Sequence, residues 1–195
     1  MLIKEISQLR AWKRRNYLDN SPQIVKENVF KRYGIEGAQW VETGTFRGTT
    51  TEFLAANYKF VYSIEPEPSL FAKAQRKFAN ANVELINDVS ENALKDLLPR
   101  LNGDVNFWLD GHYSAGVTFK GQKECPVEDE LMAIETNLAN FEKVVVLIDD
   151  VRCFYPAEEN DGSYPSIDFL VDWARAHNFQ WRIEHDIFIM KNHSL

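Results

Sequence analysis

Acidic residues close a series of short apolar runs in this chain, and their spacing suggests two kinds of chemistry. Glu42 ends the run Ala-Gln-Trp-Val-Glu and opens the turn Thr43-Gly44-Thr45-Phe46-Arg47-Gly48, after which Thr49, Thr50 and Thr51 start a helix. Glycine tolerates a sharp turn and lets another molecule approach bare backbone. Gly44 and Gly48, with Thr45, Thr49 and Thr50 beside them, therefore mark a binding edge for a small-molecule cofactor. Asp110 ends a later run, Phe-Trp-Leu-Asp, and Asp149-Asp150 end another, Val-Leu-Ile-Asp-Asp. If those runs are neighbouring strands, three carboxylates converge, and they repel one another unless a cation neutralises them. Oxygen-only ligands favour a hard divalent ion such as Mg²⁺. Such an ion lowers the pKa of a bound hydroxyl and fixes its direction, while Asp110 or His112 takes the proton. An imidazole near its ordinary pKa suits a base or a ligand, and Gly111 can turn His112 into the crevice.

The glycine turn excludes two common ligands. A dinucleotide fingerprint needs G-x-G-x-x-G, yet counting from Gly44 the second and third glycine positions hold Phe46 and Thr49. A phosphate loop needs a lysine after its last glycine, and Thr49 follows Gly48 instead. A Rossmann-type cofactor without a phosphate chain remains, and Glu42 suits one bearing an amino group or positive charge. S-adenosylmethionine meets that description.

These residues need elements to hold them. From residue 38 short apolar runs alternate with helical patterns, the mark of parallel strands joined by crossover helices. The patterns predict strands at 39–42, 60–65, 83–87, 106–110, 143–148, 180–184 and 187–191. They predict helices at 49–57, 69–80, 90–98, 127–140 and 167–177. Only His185-Asp186 separate the last two strands, which predicts an antiparallel hairpin at the sheet edge. Before this core, Leu2, Ile6, Leu9 and Trp12 recur at helical spacing, and Ser21-Pro22 starts a second helix that stops near Gly34. The expected organisation is an N-terminal helical extension, 1–36, and one α/β domain, 37–195. The expected fold is Rossmann-like and doubly wound, with a mostly parallel seven-stranded sheet, a C-terminal antiparallel hairpin and two extra N-terminal helices. Long connections at 112–126 and 151–165 border the ligand crevice, and their Tyr113, Phe119, Phe154, Tyr155 and Tyr164 offer faces for a ring-shaped acceptor or anchors for the loops.

This order of elements, with its acid and spaced glycines at 42–48, resembles a class I S-adenosylmethionine-dependent methyltransferase from about residue 38 onward. Phe46 departs from the common form, in which many members have another glycine. The resemblance implies that Glu65, in Val-Tyr-Ser-Ile-Glu-Pro, accepts hydrogen bonds from both ribose hydroxyls, and that Asp88, in Asn-Asp-Val-Ser, meets the adenine or else caps a helix. An aspartate after the fourth strand and a paired Asp-Asp after the fifth resemble the macrocin-type sugar O-methyltransferases. In those enzymes the acids bind a divalent metal and help to activate the substrate hydroxyl; here they would be Asp110, Asp149 and Asp150, with Asp110 also beside the cofactor methyl. The implied activity is methyl transfer from S-adenosylmethionine to a hydroxyl of a sugar or small metabolite, assisted by Mg²⁺. Two alternatives stand beside it: a metal-independent O- or N-methyltransferase with His112 or Asp110 as base, and a catalytically silent binding module.

Composition narrows the partners. The chain has 195 residues, 45% of them hydrophobic, and a net charge of −7, enough for one sizeable core and poorly suited to a phosphate backbone. No nucleic-acid or membrane partner is expected; a homo-oligomer is compatible. Lys13, Arg14 and Arg15 read as a solvated helix face. Cys125 and Cys153 are too few for a disulfide scaffold and read as thiols of a reducing cytoplasm, and no segment resembles a signal peptide or a membrane span.

Overall fold

The computed structural model describes residues 2–18, 20–111, 125–155 and 163–194. Seven strands are present: β1 (Gln39–Thr43), β2 (Val61–Ile64), β3 (Val83–Ile86), β4 (Gly103–Leu109), β5 (Phe141–Ile148), β6 (Gln180–Glu184) and β7 (Ile187–Lys191). They form one sheet in the order β3-β2-β1-β4-β5-β7-β6. Strands β1 to β5 pair in parallel, and β7 runs antiparallel to both β5 and β6. This is the expected Rossmann-like, doubly wound α/β fold with its C-terminal hairpin.

The helices are α1 (Leu2–Arg14), α2 (Gln23–Tyr33), α3 (Thr49–Asn57), α4 (Pro68–Lys77), α5 (Ser90–Leu97), α6 (Val127–Asn137) and α7 (Ile167–Ala176). Several ends follow from local chemistry. Pro68 opens α4, and the Glu67 side chain accepts from the Ser69 amide at 3.2 Å, which satisfies one of the orphan donors of a helix start. The α5 pattern tightens into a 3₁₀ turn at Leu98–Arg100, where Pro99 has no N–H to continue the ladder. β4 starts three residues earlier than its pattern suggests, since Gly103 at φ 75° allows a register shift against β5. His185 and Asp186 both take positive φ, 54° and 69°, the conformation of a two-residue turn matched to strand twist.

Period-two alternation along the strands separates two apolar layers. Val41, Phe107 and Val146 face α5, α6 and α7. Trp40, Trp108, Val145 and Leu147 face Val29, Phe30 and Tyr33 of α2 and Leu54 of α3. The second helix of the extension thus shares its core with the sheet, and buried Asn106 of β4 holds the following turn through the Ile35 amide at 2.8 Å and the Ile35 carbonyl at 3.2 Å. The expected boundary at residue 36 falls in that turn. On α1, Trp12 is buried and packs edge-on against His185 at 5.7 Å, in keeping with a helix that rests on the domain. No helix of the described residues is long and apolar enough to cross a membrane.

Candidate functional site

The order of strand addition reverses between the parallel neighbours β1 and β4: successive strands run outward through β2 and β3 on one side and through β5 on the other. Ligands of open α/β sheets bind beyond the strand ends at such a point, and a cavity of about 900 Å³ lies there. Its wall takes Gly44, Thr45, Thr49 and Thr50 from the glycine turn and α3, Glu65 from the end of β2, and Asp110, Asp149 and Asp150 from the ends of β4 and β5. Gln23 and Lys26 of α2, together with Phe46 and Phe53, are also among its lining residues. The sequence expected the first set and missed the second.

The glycine turn is built by backbone crowding. The Gly44 and Thr45 amides donate to the Ile64 carbonyl at 3.0 and 3.1 Å. A Cβ on Gly44, at φ 87°, would lie 2.4 Å from the Asp110 carbonyl oxygen. That glycine is required by the approach of β4. Gly48 is required by a different contact, because at φ 67° its Cβ would meet the Phe78 ring at 2.6 Å. Between them Phe46 takes φ 49°, a left-handed backbone that costs a side-chain residue about 1–2 kcal/mol. Its position in the turn is one where many members of the resembling family have glycine; the residue is 41% exposed and lines the cavity, and the Arg47 guanidinium lies 5.2 Å from its ring centre.

Glu65 clamps this turn. One carboxylate oxygen accepts from the Phe46 amide at 2.7 Å and the other from the Glu67 amide at 3.0 Å. Each oxygen has a second lone pair. Burial pushes the Glu65 carboxyl upward and the two amide bonds oppose it.

Glu42, Gly48 and Asp88 do not line the cavity. Glu42 is fully buried beneath it on the α3 side of β1, where one oxygen accepts from Thr51 at 2.6 Å and Ser63 at 2.5 Å. Its other oxygen has no hydrogen-bond partner. Burial raises its pKa to about 7, against the two hydroxyl bonds and with help from the Asp110 and Glu65 charges. Asp88 is exposed and accepts from the Val89 amide at 2.7 Å just before α5; Val89 is the N-cap of that helix and no side chain caps it. His112, Tyr113 and Phe119 lie outside the described residues. Phe154 and Tyr164 pack edge-on at 5.3 Å in the core layer and Tyr155 is half exposed; none lines the cavity.

The acids do converge: one ligand atom from each of Asp110, Asp149 and Asp150 falls within 4.8 Å of the others. Two side-chain cations hold them. The Lys26 ammonium hydrogen-bonds Asp149 Oδ2, lies 3.6 Å from Asp110 Oδ2, and sits over the Trp108 ring at 5.3 Å. Burial works against that ammonium, but Asp110, Asp149 and Asp150 outweigh it and hold its pKa above the ordinary value. Arg152 bonds Asp150 Oδ1 at 2.6 Å and also Asp186 in the hairpin turn. Burial and the Asp110 charge push Asp149 upward while Lys26 pulls it down. Lys26 had one sequence signal: positions 26, 29, 30 and 33 form a single helical stripe, apolar except at its first member.

No protein-family model matches the chain, and no curated protein sequence matches it. Solved structures do. One is a methyltransferase from Geobacter sulfurreducens, 12% identical, covering 97% of this chain and 87% of that one with a TM-score of 0.57. Another is a proposed rRNA methylase from Clostridium thermocellum, 15% identical, covering 85% and 93% with a TM-score of 0.55. A third is a proposed methyltransferase from Streptococcus mutans in complex with SAH, 19% identical, covering 89% and 97% with a TM-score of 0.53. At these identities the likeness establishes the fold, that of Rossmann-like methyltransferases.

Proposed function

We propose that this protein transfers the methyl group of S-adenosylmethionine to a hydroxyl of a small acceptor, a sugar or secondary metabolite. The observation that carries the reading is the shared wall of one cavity: the Glu65-clamped glycine turn at one end and the Asp110, Asp149 and Asp150 carboxylates at the other. In this reading the ribose hydroxyls donate to the remaining lone pairs of Glu65, and Phe46 covers the nucleoside. An acid-lined wall suits a sulfonium and an α-ammonium, since opposite charges attract strongly where water is partly excluded. The same wall and the net charge of −7 disfavour a phosphate backbone as acceptor. The fold alone does not select an acceptor, because one scaffold hosts many reactions.

The chemistry is an in-line displacement. The acceptor oxygen forms a bond to the methyl carbon as the S–CH₃ bond breaks, and that electron pair stays on sulfur to give the neutral thioether S-adenosylhomocysteine. The acceptor proton passes to a base. Asp110 fills that role in this reading, since its side chain remains about a quarter exposed, 26%, at the cavity. The three oxygen donors suit Mg²⁺ by type, but Lys26 lies on Asp149 Oδ2 between the carboxylates. An ion and that ammonium do not fit together on one carboxylate oxygen, so in this reading Asp110 and Lys26 act without a metal. Titration calorimetry with S-adenosylhomocysteine tests the reading; saturable binding is expected, and a folded protein that gives no heat with it or with S-adenosylmethionine refutes it.

A further inference from the structure

We propose that Lys26 is the resident cation of the acid cluster: delivered by α2, its ammonium takes the place of a divalent ion on Asp110, Asp149 and Asp150 and keeps one out of the intact protein. The inference rests on the same cavity as the proposed function, yet ion binding is measured without any methyl transfer.

Three oxygen ligands within 4.8 Å of one another are a plausible set for a hard ion. The ammonium meets that set from within, on Asp149 Oδ2 and 3.6 Å from Asp110 Oδ2. A divalent ion bound to the same oxygen would stand against a like charge with little water between them. The lysine is also firmly carried. Val29 and Phe30, one turn further along α2, are buried in the core, and the Tyr58 hydroxyl donates to the Phe30 carbonyl at 2.8 Å. At the end of the helix Tyr33 donates to Glu184 Oε2 at 2.6 Å and Arg32 to Glu184 Oε1 at 2.6 Å. The helix therefore returns its lysine to the same place. Asp149 itself is 2% exposed and lines the cavity, and its Oδ1 has no hydrogen-bond partner. A buried carboxylate with one oxygen on a lysine and the other unsatisfied is poised to take a stronger cation once the lysine is removed. Lys26 thus acts as a positioning residue, fixing the carboxylates around the acceptor.

Mn²⁺ is the probe, because its free aqua ion gives an electron paramagnetic resonance signal that binding broadens. The wild type is expected to leave the signal of Mn²⁺ intact up to roughly millimolar concentration. Lys26→Met is expected to bind one Mn²⁺ at least about tenfold more tightly, and adding Asp149→Asn should remove that site. Circular dichroism reports folding, and Lys26→Gln, which also lacks the charge, replaces Lys26→Met if the latter does not fold. Tight Mn²⁺ binding by the wild type that Asp149→Asn abolishes overturns the proposal, as does a folded charge-free variant that gains no site. A failed calorimetric titration with S-adenosylhomocysteine refutes the methyl-transfer reading and leaves this ion result unaffected.

Discussion

The Phe46 amide donates to the Glu65 carboxylate at 2.7 Å, so the residue in the strained part of the glycine turn is held by the acid at the end of the neighbouring strand. Phe46 keeps a left-handed backbone, φ 49°, that a glycine would adopt without cost. A side chain retained at such a cost points to use of the ring. Phe46→Gly is expected to leave unfolding free energy unchanged or raised by up to ~1 kcal/mol, as relief of strain offsets the added chain entropy. The same variant should bind S-adenosylhomocysteine about fivefold to tenfold more weakly. Urea unfolding and calorimetry check the two halves; a variant with lower stability and unchanged affinity contradicts the assignment.

Glu65→Gln replaces one acceptor oxygen with an NH₂ that faces the Phe46 or Glu67 amide. Loss of one buried backbone bond costs roughly 1–3 kcal/mol. The expected result is weaker S-adenosylhomocysteine binding by at least about tenfold, with a smaller relative effect for Asp88→Asn, whose side chain lies outside the cavity. Equal losses from both substitutions would contradict the geometry.

Glu42 gives a pH dependence. Its carboxyl rises from 4.5 to about 7 on folding, chiefly by burial, so the folded state prefers the protonated form. That contribution to stability is whole below pH 4.5 and is lost as pH climbs through about 7. Glu42→Gln mimics the protonated acid and should be more stable than wild type at pH 8.5 by on the order of 3 kcal/mol, with the gap closing toward pH 4.5. Denaturant midpoints across that range measure it; a constant gap excludes Glu42 as the titrating group.

Arg152 joins Asp150 at the end of β5 to Asp186 in the hairpin turn. Arg152→Ala leaves Asp150, 4% exposed, without that partner beside Asp149. The guanidinium is 30% exposed, which reduces the penalty of a buried pair to about 2 kcal/mol. Chemical denaturation should show that loss, and hydrogen exchange should quicken at the β6–β7 turn. No change in either would mean that water replaces the arginine.

Sequence patterns of short range were readable. The α3 helix and the β6–β7 hairpin fall at the residues their local signals mark, because a glycine turn and a two-residue turn are each determined within a few positions. Glu42 was harder: it shares the face of Trp40 on β1, and period-two alternation alone puts it under α3 rather than in the cavity. Lys26 was not legible as a site residue, because its partners lie 84 and 123 positions away, at Asp110 and Asp149. Carboxylate repulsion led the sequence reading to a divalent ion; the structure adds a side chain from the extension, Lys26, which contacts Asp149 and Asp110. Phe46 gave one sign of its left-handed backbone, its place in the turn where many members of the resembling family have glycine, but none of the bond from its amide to Glu65.

The cavity wall draws on α2 near the start of the chain, while Asp150 is tied through Arg152 to Asp186 near its end, and β7 enters the sheet between β5 and β6. The glycine turn and strands β1 to β4 pair without the hairpin, whereas the surroundings of Asp149 and Asp150 also need β7 on β5 and Asp186 on Arg152. Such long-range closure slows folding, because the pocket is finished only when residues as far apart in the chain as Lys26 and Asp149 have met.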